Sequence, residues 1–526
     1  MDTRRRRCPL LVGAVVAAVC GAAAASPSLE VKTAQGRVAG ESVAGDVRIF
    51  RGIPYAAPPN GELRWRIPQP PAAWKGVRDA THFGARCVQI GGNAPVPGRS
   101  AAGAGLPMSE DCLFLNVWTA ARGPRERRPV AVWLHGGSFI IGTGALYDGA
   151  ALARRGVVVV TINYRLGAFG MFAHPALTAE SADHVSGNYA FYDALEALRW
   201  VKTNIAAFGG DPGRITVMGQ SGGGRFIQSL RTSPCAAGLF QRAIIESAPI
   251  RILPMRRLQD AEHDGAAAAE KAAAPSLEAL RALSAQRVLE EFPVGQPIID
   301  GHCILQDPLR ALETGSSHDV DLLVGSNADE GTFPYLRAQE YGIGFKTAEE
   351  FASHVRGRFE EDAPAFLAIY PGQHATEFDP AQREAFRDEA AWLARFSAAT
   401  HDARSARGRT FLYFFSHRPP PPSSGPDRRA THGAEISYVF SMPVASWTDE
   451  DRRVADVVSG YWANFVSRGD PNGPGLPRWP QFTARTTEAR MNLGPMTPEP
   501  GLDARRLALF DALYRRIMGG AQRSGE

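Results

Sequence analysis

The stretch VMGQSGGG, residues 217 to 224, sets Ser221 in the pattern G-x-S-x-G, formed by Gly219, Gln220, Ser221, Gly222 and Gly223. On a sharp strand-to-helix turn that hydroxyl would be an exposed nucleophile for acyl transfer; in an ordinary glycine loop it would do no chemistry. Acyl transfer by serine makes further demands, because a base must take the proton and a third group must hold that base in the right tautomer. Amide hydrogens must also face the oxygen that becomes an anion. Each demand has a candidate. HGGSF, from His135, offers backbone donors at Gly137 and Ser138, with Gly222 as a third; SNADEGTF offers Glu330 with Asp329 beside it; ATHGAEISYVF offers His432. The plainer readings are a glycine turn, a solvated carboxylate and one more histidine among twelve.

Position decides between these readings. Short runs rich in β-branched residues read as buried strands: PVAVWLHGG from Pro129, GVVVVTIN from Gly156, RITVMG from Arg214, RAIIESA from Arg242, VDLLVGSN from Val320 and TFLYFFSH from Thr410. Between them lie helical patterns, such as YDALEALRWVKTNIAAF from Tyr192, and strands alternating with helices predict a mostly parallel sheet covered on both faces. Every chemical candidate then follows the end of a strand, and the serine lies between a strand and a helix, as the elbow requires. The order of serine, acid and histidine is the one expected of an α/β-hydrolase. Residues 261 to 291 and 345 to 405 are helix-like and read as insertions covering one end of the sheet, while 418 to 429, RPPPPSSGPDRR, reads as an exposed loop.

With these residues in place, the chain resembles the type-B carboxylesterases, the α/β-hydrolase family that includes cholinesterases, bile-salt lipases and bacterial para-nitrobenzyl esterases. The resemblance runs over nearly the whole chain after the leader. It includes FRGIPYAAPPNGELRWRIPQP from Phe50, SEDCLFLNVW from Ser109, HGGSF, NYRLGAFG from Asn163, GNYAFYDALEALRWVKTNIAAFGGDP from Gly187, the elbow, NADEGTF and HGAEISYVF. It implies an α/β-hydrolase fold with helical insertions over the active site, and hydrolysis of carboxylic esters through an acyl-enzyme on Ser221. His432 would be the base, Glu330 rather than Asp329 the orienting acid, and Gly137, Ser138 and Gly222 the oxyanion donors. It further implies a Cys87 to Cys112 disulfide, a salt bridge between Arg51 and Glu110, and a buried serine at Ser247 near the acid. No metal or organic cofactor is implied.

Departures from the family pattern narrow the expectation. Relatives read G-E-S-A-G where this chain has Gln220 and Gly222, so a buried acid beside the nucleophile is replaced by an amide. Arg225 stands one turn into the elbow helix, where relatives carry a small residue, and is a candidate for binding an anionic acyl group. The stretch between Cys87 and Cys112 contains no aromatic residue, so it lacks the platform that would hold a quaternary ammonium by cation-π attraction. The competing functions are a specialised hydrolase of bulky or polycarboxylate esters, an amidase, and a non-catalytic binding protein that retains the fold.

Residues 1 to 25 are set aside from the fold. Arg4 to Arg7 precede an apolar run of small residues, the layout of a secretory signal peptide cleaved after Ala25, and the run is too short and too rich in alanine and glycine for a spanning anchor. Residues 26 to 526 then form one α/β-hydrolase domain, secreted or periplasmic. Without the leader's four arginines and Asp2 the formal charge of +4 falls to +1, so no nucleic-acid partner is expected. No stable membrane association is expected either; the partner is a small ester. Export places Cys87, Cys112, Cys235 and Cys303 where disulfides form, with Cys87 to Cys112 favoured because it closes a loop short of regular structure. Cys235 and Cys303 read equally as a second pair or two buried thiols.

Overall fold

The computed structural model describes residues 29 to 523 except 44–45, 92–98, 101–102, 104, 249–251, 332–346, 372–379, 422–428 and 484–488. Residues 1 to 25, read above as a leader, lie outside the described residues, as does most of the proline-rich loop. An eleven-stranded sheet dominates the molecule. Across it run Glu41–Val43, Val47–Pro54, Phe114–Thr119, Val158–Ile162, Arg128–Leu134, Gly210–Gln220, Arg242–Glu246, Asp321–Asn327, Thr410–Phe415, Ala489–Asn492 and Thr497–Pro500. From Val158–Ile162 to Ala489–Asn492 every neighbour is parallel, and antiparallel strands close both edges.

Alternation along the parallel strands fills two cores, because successive side chains leave a strand on opposite faces. Val130, Val132 and Leu134 enter one core with Val217, Ile245 and Val324; Ala131 and Trp133 enter the other with Met218, Ile244 and Leu323. The first core is roofed by the helix Tyr189–Asn204, which contributes Leu195, Leu198 and Val201, and the second by the helix Asp449–Arg468 with Val458, Trp462 and Phe465. All six strands expected from the sequence are present. The strand leading to the serine begins earlier than its apolar run, at Gly210, which pairs with Arg128 ahead of a register shift.

The region 345 to 405 is not all insertion. Its last helix, Pro380–Arg404, lies between two parallel strands of the sheet and packs against both, sending Ala394 and Ala398 into the first core. On its other side Trp392 and Leu393 join Phe351, Phe359 and the C-terminal helix Ala504–Arg523 in a separate cluster. The helix is therefore the crossover that a parallel pair requires. The alanine-rich stretch does stand apart, as three helices, Leu258–Lys271, Leu277–Ala282 and Ala285–Glu291, gathered around Trp65, Phe172 and Phe292.

Both cysteine pairs are joined, Cys87 to Cys112 and Cys235 to Cys303. The salt bridge implied for Arg51 and Glu110 does not form. Glu110 is gripped side-on by Arg64, whose Nε donates at 2.7 Å and Nη2 at 2.5 Å, while Arg51 reaches Glu41 on the neighbouring antiparallel strand. Arg64 is the nearer donor because it is nearly buried beside Glu110, and its remaining nitrogen is held by the carbonyls of Arg281 and Leu283.

Candidate active site

Parallel register brings the candidates to one rim. Gly219 pairs with Leu134, Gln220 with Glu246, Glu246 with Gly325, and Asn327 with Phe415, so the strands end level and in the same sense. The loops that follow carry His135 to Phe139, Ser221, Ser247, Glu330 and His432. Ligand sites of open α/β sheets form beyond these carboxyl ends.

Ser221 occupies a backbone conformation that side chains rarely adopt, φ 56° and ψ −121°, between the strand Gly210–Gln220 and the helix Gly222–Thr232. That strained turn is held from both sides: the Ser221 N–H donates to the carbonyl of Glu246 at 2.9 Å, and the Ser221 carbonyl accepts from Arg225 N–H at 2.9 Å. The turn is this tight because Gly223 packs directly on the next strand, where a Cβ would fall 2.0 Å from the carbonyl oxygen of Leu134. Across from it the loop Gly136 to Phe139 folds back with φ of 110° at Gly137 and 56° at Ser138, both left-handed. Its Ser138 nitrogen lies 3.4 Å from where a Cβ on Gly222 would stand. The amides of Gly137, Ser138 and Gly222 donate to no acceptor among the described residues, so three N–H groups are left for a ligand oxygen.

Glu330 is wholly buried, and its Oε2 meets His432 Nδ1 at 2.6 Å. Its Oε1 accepts from the Asn327 N–H at 2.9 Å, which leaves one oxygen for the imidazole. The two loops are fastened together: Asp329 N–H donates to the Ala430 carbonyl, Asp329 Oδ2 accepts from the Ala430 N–H, and Asn327 Nδ2 donates to the Thr431 carbonyl. Asp329 thus braces the loop carrying His432 rather than touching its ring. Burial alone would lower the imidazole pKa, but the charge and hydrogen bond of Glu330 outweigh it, and His432 titrates above its ordinary value. On its far side, His432 Nε2 is met by Gln220 Nε2 at 3.0 Å. An amide N–H facing that nitrogen, with a carboxylate at the other, assigns the neutral tautomer protonated on Nδ1. Among the described residues the Ser221 hydroxyl has no hydrogen-bond partner, so Gln220 holds the nitrogen that a catalytic serine would use.

Sequence reasoning named the elbow, Glu330 and His432 but missed the polar bed beneath them. Asn327 Nδ2 donates to Glu435 Oε2 at 2.5 Å, and burial together with the negative Glu330 lifts the Glu435 carboxyl to about 7. Glu246, buried and hydrogen-bonded to Trp462 Nε1, is pushed well above the carboxylate range by the same two causes, burial and the neighbouring Glu435. Their signal was present in the sequence: Glu435 is three residues after His432, and Glu246 closes a strand beside the elbow. Ser247 is buried with φ 50°, its N–H bonded to the Gly325 carbonyl. Arg225 lies on the elbow helix as expected, half-buried above the Phe139 ring, with Nη1 donating to Gln296 Oε1 at 2.7 Å; Gln296 in turn donates to the Ser138 carbonyl. Among the described residues the grouping Cys235, His302 and Cys303 has metal-ligand proximity, but the disulfide between its two sulfurs removes them as thiolate donors.

Comparison with known proteins places this geometry in context. The family model described as "Carboxylesterase family" matches residues 27–507. The chain is 37% identical over 484 residues to the fumonisin B1 esterase of Sphingopyxis macrogoltabida, covering 87% of this chain and 85% of that one. It is 34% identical over 495 residues to the para-nitrobenzyl esterase of Bacillus subtilis, covering 87% and 93%. It is 32% identical over 508 residues to the human cocaine esterase, covering 90% and 88%.

Proposed function

The chain belongs to the carboxylesterase family and is a serine carboxylic ester hydrolase, and from that premise we propose that Ser221, His432 and Glu330 form its catalytic triad. Ser221 Oγ attacks the ester carbonyl while His432 Nε2, freed from Gln220, accepts its proton. Glu330 keeps the other imidazole hydrogen on Nδ1 and offsets the charge the ring acquires. The amides of Gly137, Ser138 and Gly222 stabilise the tetrahedral oxyanion; the imidazolium then protonates the departing alcohol, and water repeats the sequence on the acyl-enzyme. The observation that carries this reading is the 2.6 Å contact of Glu330 with His432, itself held against the residue preceding Ser221.

Ser221→Ala tests it. The expected result is loss of about 10⁴-fold or more in kcat/KM on a simple ester, and of stoichiometric labelling by an organophosphate. A variant that keeps either would exclude Ser221 as the nucleophile.

One observation favours a narrower substrate class, esters with an anionic acyl group. Among the described residues Arg225 has no carboxylate within ion-pair distance, although burial pulls its pKa down against the opposing charge of Asp307, and Gln296 links it to the oxyanion loop. A carboxylate on the acyl chain would complete that guanidinium. Arg225→Met should lower kcat/KM roughly 10-fold or more for a carboxylate-bearing acyl ester and leave its neutral counterpart nearly unchanged. Equal losses on both would remove the basis for this preference.

We further read residues 26 to 526 as one catalytic domain, exported by the leader and released by cleavage after Ala25. Two disulfides and the absence, among the described residues, of a helix long and apolar enough to cross a membrane are consistent with this. Sequencing the mature N-terminus checks it.

A further inference from the structure

Arg231, near the end of the elbow helix, is wholly buried. Its Nη1 donates to Gln228 Oε1 at 3.0 Å and to Ser397 Oγ at 3.2 Å, but Nε and Nη2 have no hydrogen-bond partner. Those two nitrogens share the edge of the guanidinium that presents two parallel N–H bonds. Another buried arginine shows what this edge ordinarily takes: Arg165 gives Nε and Nη2 to the two oxygens of Asp193, at 2.9 and 2.7 Å. Among the described residues no carboxylate lies within ion-pair distance of Arg231. Burial by itself lowers its pKa to about 9, so the group is still a cation at neutral pH.

Its surroundings are polar and closed. His401 lies one turn after Ser397 on the crossover helix Pro380–Arg404, its Nδ1 bonded to Thr410 Oγ1 at 2.8 Å and its buried Nε2 without a partner. Burial, followed by the charge of Arg231, holds this histidine down at about 3, so it adds no second positive charge. Arg231, Gln228, Ser397 and His401 are each at most 3% exposed. A buried charge without a counter-charge is among the costliest arrangements in a protein interior, and the unpaired edge is where that charge would be answered.

We propose that the Nε and Nη2 edge of Arg231 holds a small monovalent inorganic anion, a halide such as chloride, enclosed between the elbow helix and the crossover helix. The ligand class follows from the edge and its burial: one spherical ion can straddle two parallel N–H bonds, and it asks for no opening to solvent among groups this deeply buried. The anion supplies to Arg231 the charge that Asp193 supplies to Arg165. It thereby fastens the helix that begins at Ser221 to the sheet's crossover, independently of how the ester chemistry proceeds.

The test compares thermal unfolding of the mature enzyme in sodium chloride, sodium bromide and sodium gluconate at fixed ionic strength. A ligand that binds only the folded state raises the midpoint with the logarithm of its concentration, here by roughly 1 °C for each tenfold increase once the site begins to fill. The wild type should show that rise in both halides relative to gluconate. Arg231→Met should abolish it while being no less stable in gluconate, with hydrolysis of a simple ester retained as evidence of folding. Bromide-soaked crystals of the wild type should show an anomalous peak against Nε and Nη2, a readout that holds even if the variant fails to fold. Indifference of the wild type to the identity of the anion, a halide response that survives in Arg231→Met, or only water at the guanidinium edge would overturn the proposal.

Discussion

At the residue scale, the departure with the clearest chemical consequence is Gln220. A neutral amide faces the imidazole Nε2, so Gln220 adds no charge there, and Glu330 at Nδ1 is the largest of the negative charges acting on the ring, followed by Glu435. The base must be neutral to accept the serine proton, and the folded pKa of His432 lies above 6.5. Activity should therefore fall as pH drops through that raised value and be full above it. Gln220→Glu would add a negative charge at Nε2, stabilise the imidazolium and move the acid limb of kcat/KM to higher pH. At pH 6 the expected loss is roughly 10-fold, with nearly wild-type rates at pH 9. An acid limb that stays in place would show that the side chain at 220 does not face His432 in the free enzyme. Sequence identity alone exposed this site, but whether the amide reached the base or pointed away was a question of side-chain geometry.

At the element scale, the elbow works because a strand, a turn and a helix are compressed onto the adjacent strand end. Gly223 is the point of compression, since any side chain there meets the Leu134 carbonyl, which is backbone and cannot step aside. Gly223→Ala should therefore displace the elbow helix, lower the yield of folded protein and reduce kcat on a simple ester by about 10²-fold in what folds. Unaltered kinetics would mean that the turn has slack the geometry does not suggest. The crossover helix Pro380–Arg404 gives the opposite lesson. Its sequence, read alone, resembles the helices before it, and nothing in its periodicity shows that one side faces the sheet while the other faces the C-terminal helix. The helix-like region 345 to 405 interrupts the alternation of strand and helix patterns, and it reads as an insertion for that reason.

At the scale of the whole molecule, the two disulfides tie together segments far apart in sequence. Cys87 to Cys112 closes a separation of 25 residues near the oxyanion loop, and Cys235 to Cys303 spans 68 residues from the end of the elbow helix to the far side of the alanine-rich helices. Loop-closure entropy grows only with the logarithm of length, so the second bond should contribute about 4 kcal/mol and the first nearly as much. Cys235→Ser with Cys303→Ser should lower unfolding stability by close to that amount, measured by denaturant titration, and leave kcat of the folded enzyme nearly unchanged. A negligible change would mean that the alanine-rich helices are already restrained in the unfolded chain.

What the amino-acid order determined by itself is the class of architecture and where to look for the chemistry: alternating strand and helix patterns predicted the parallel sheet, and placement at strand ends singled out Ser221, Glu330 and His432 as the triad proposed here. These signals are legible because they are local, resting on periodicity, glycine placement and chain order. Pairings between distant side chains were not legible. Arg51 was matched with Glu110, yet Arg64 takes that carboxylate; Cys235 and Cys303 gave no sign of choosing each other; and the bed of Asn327, Glu246 and Glu435 passed unnoticed. A partner is selected by which groups the folded backbone brings within about 3 Å of one another. Sequence spacing does not encode that distance once the chain has crossed the sheet.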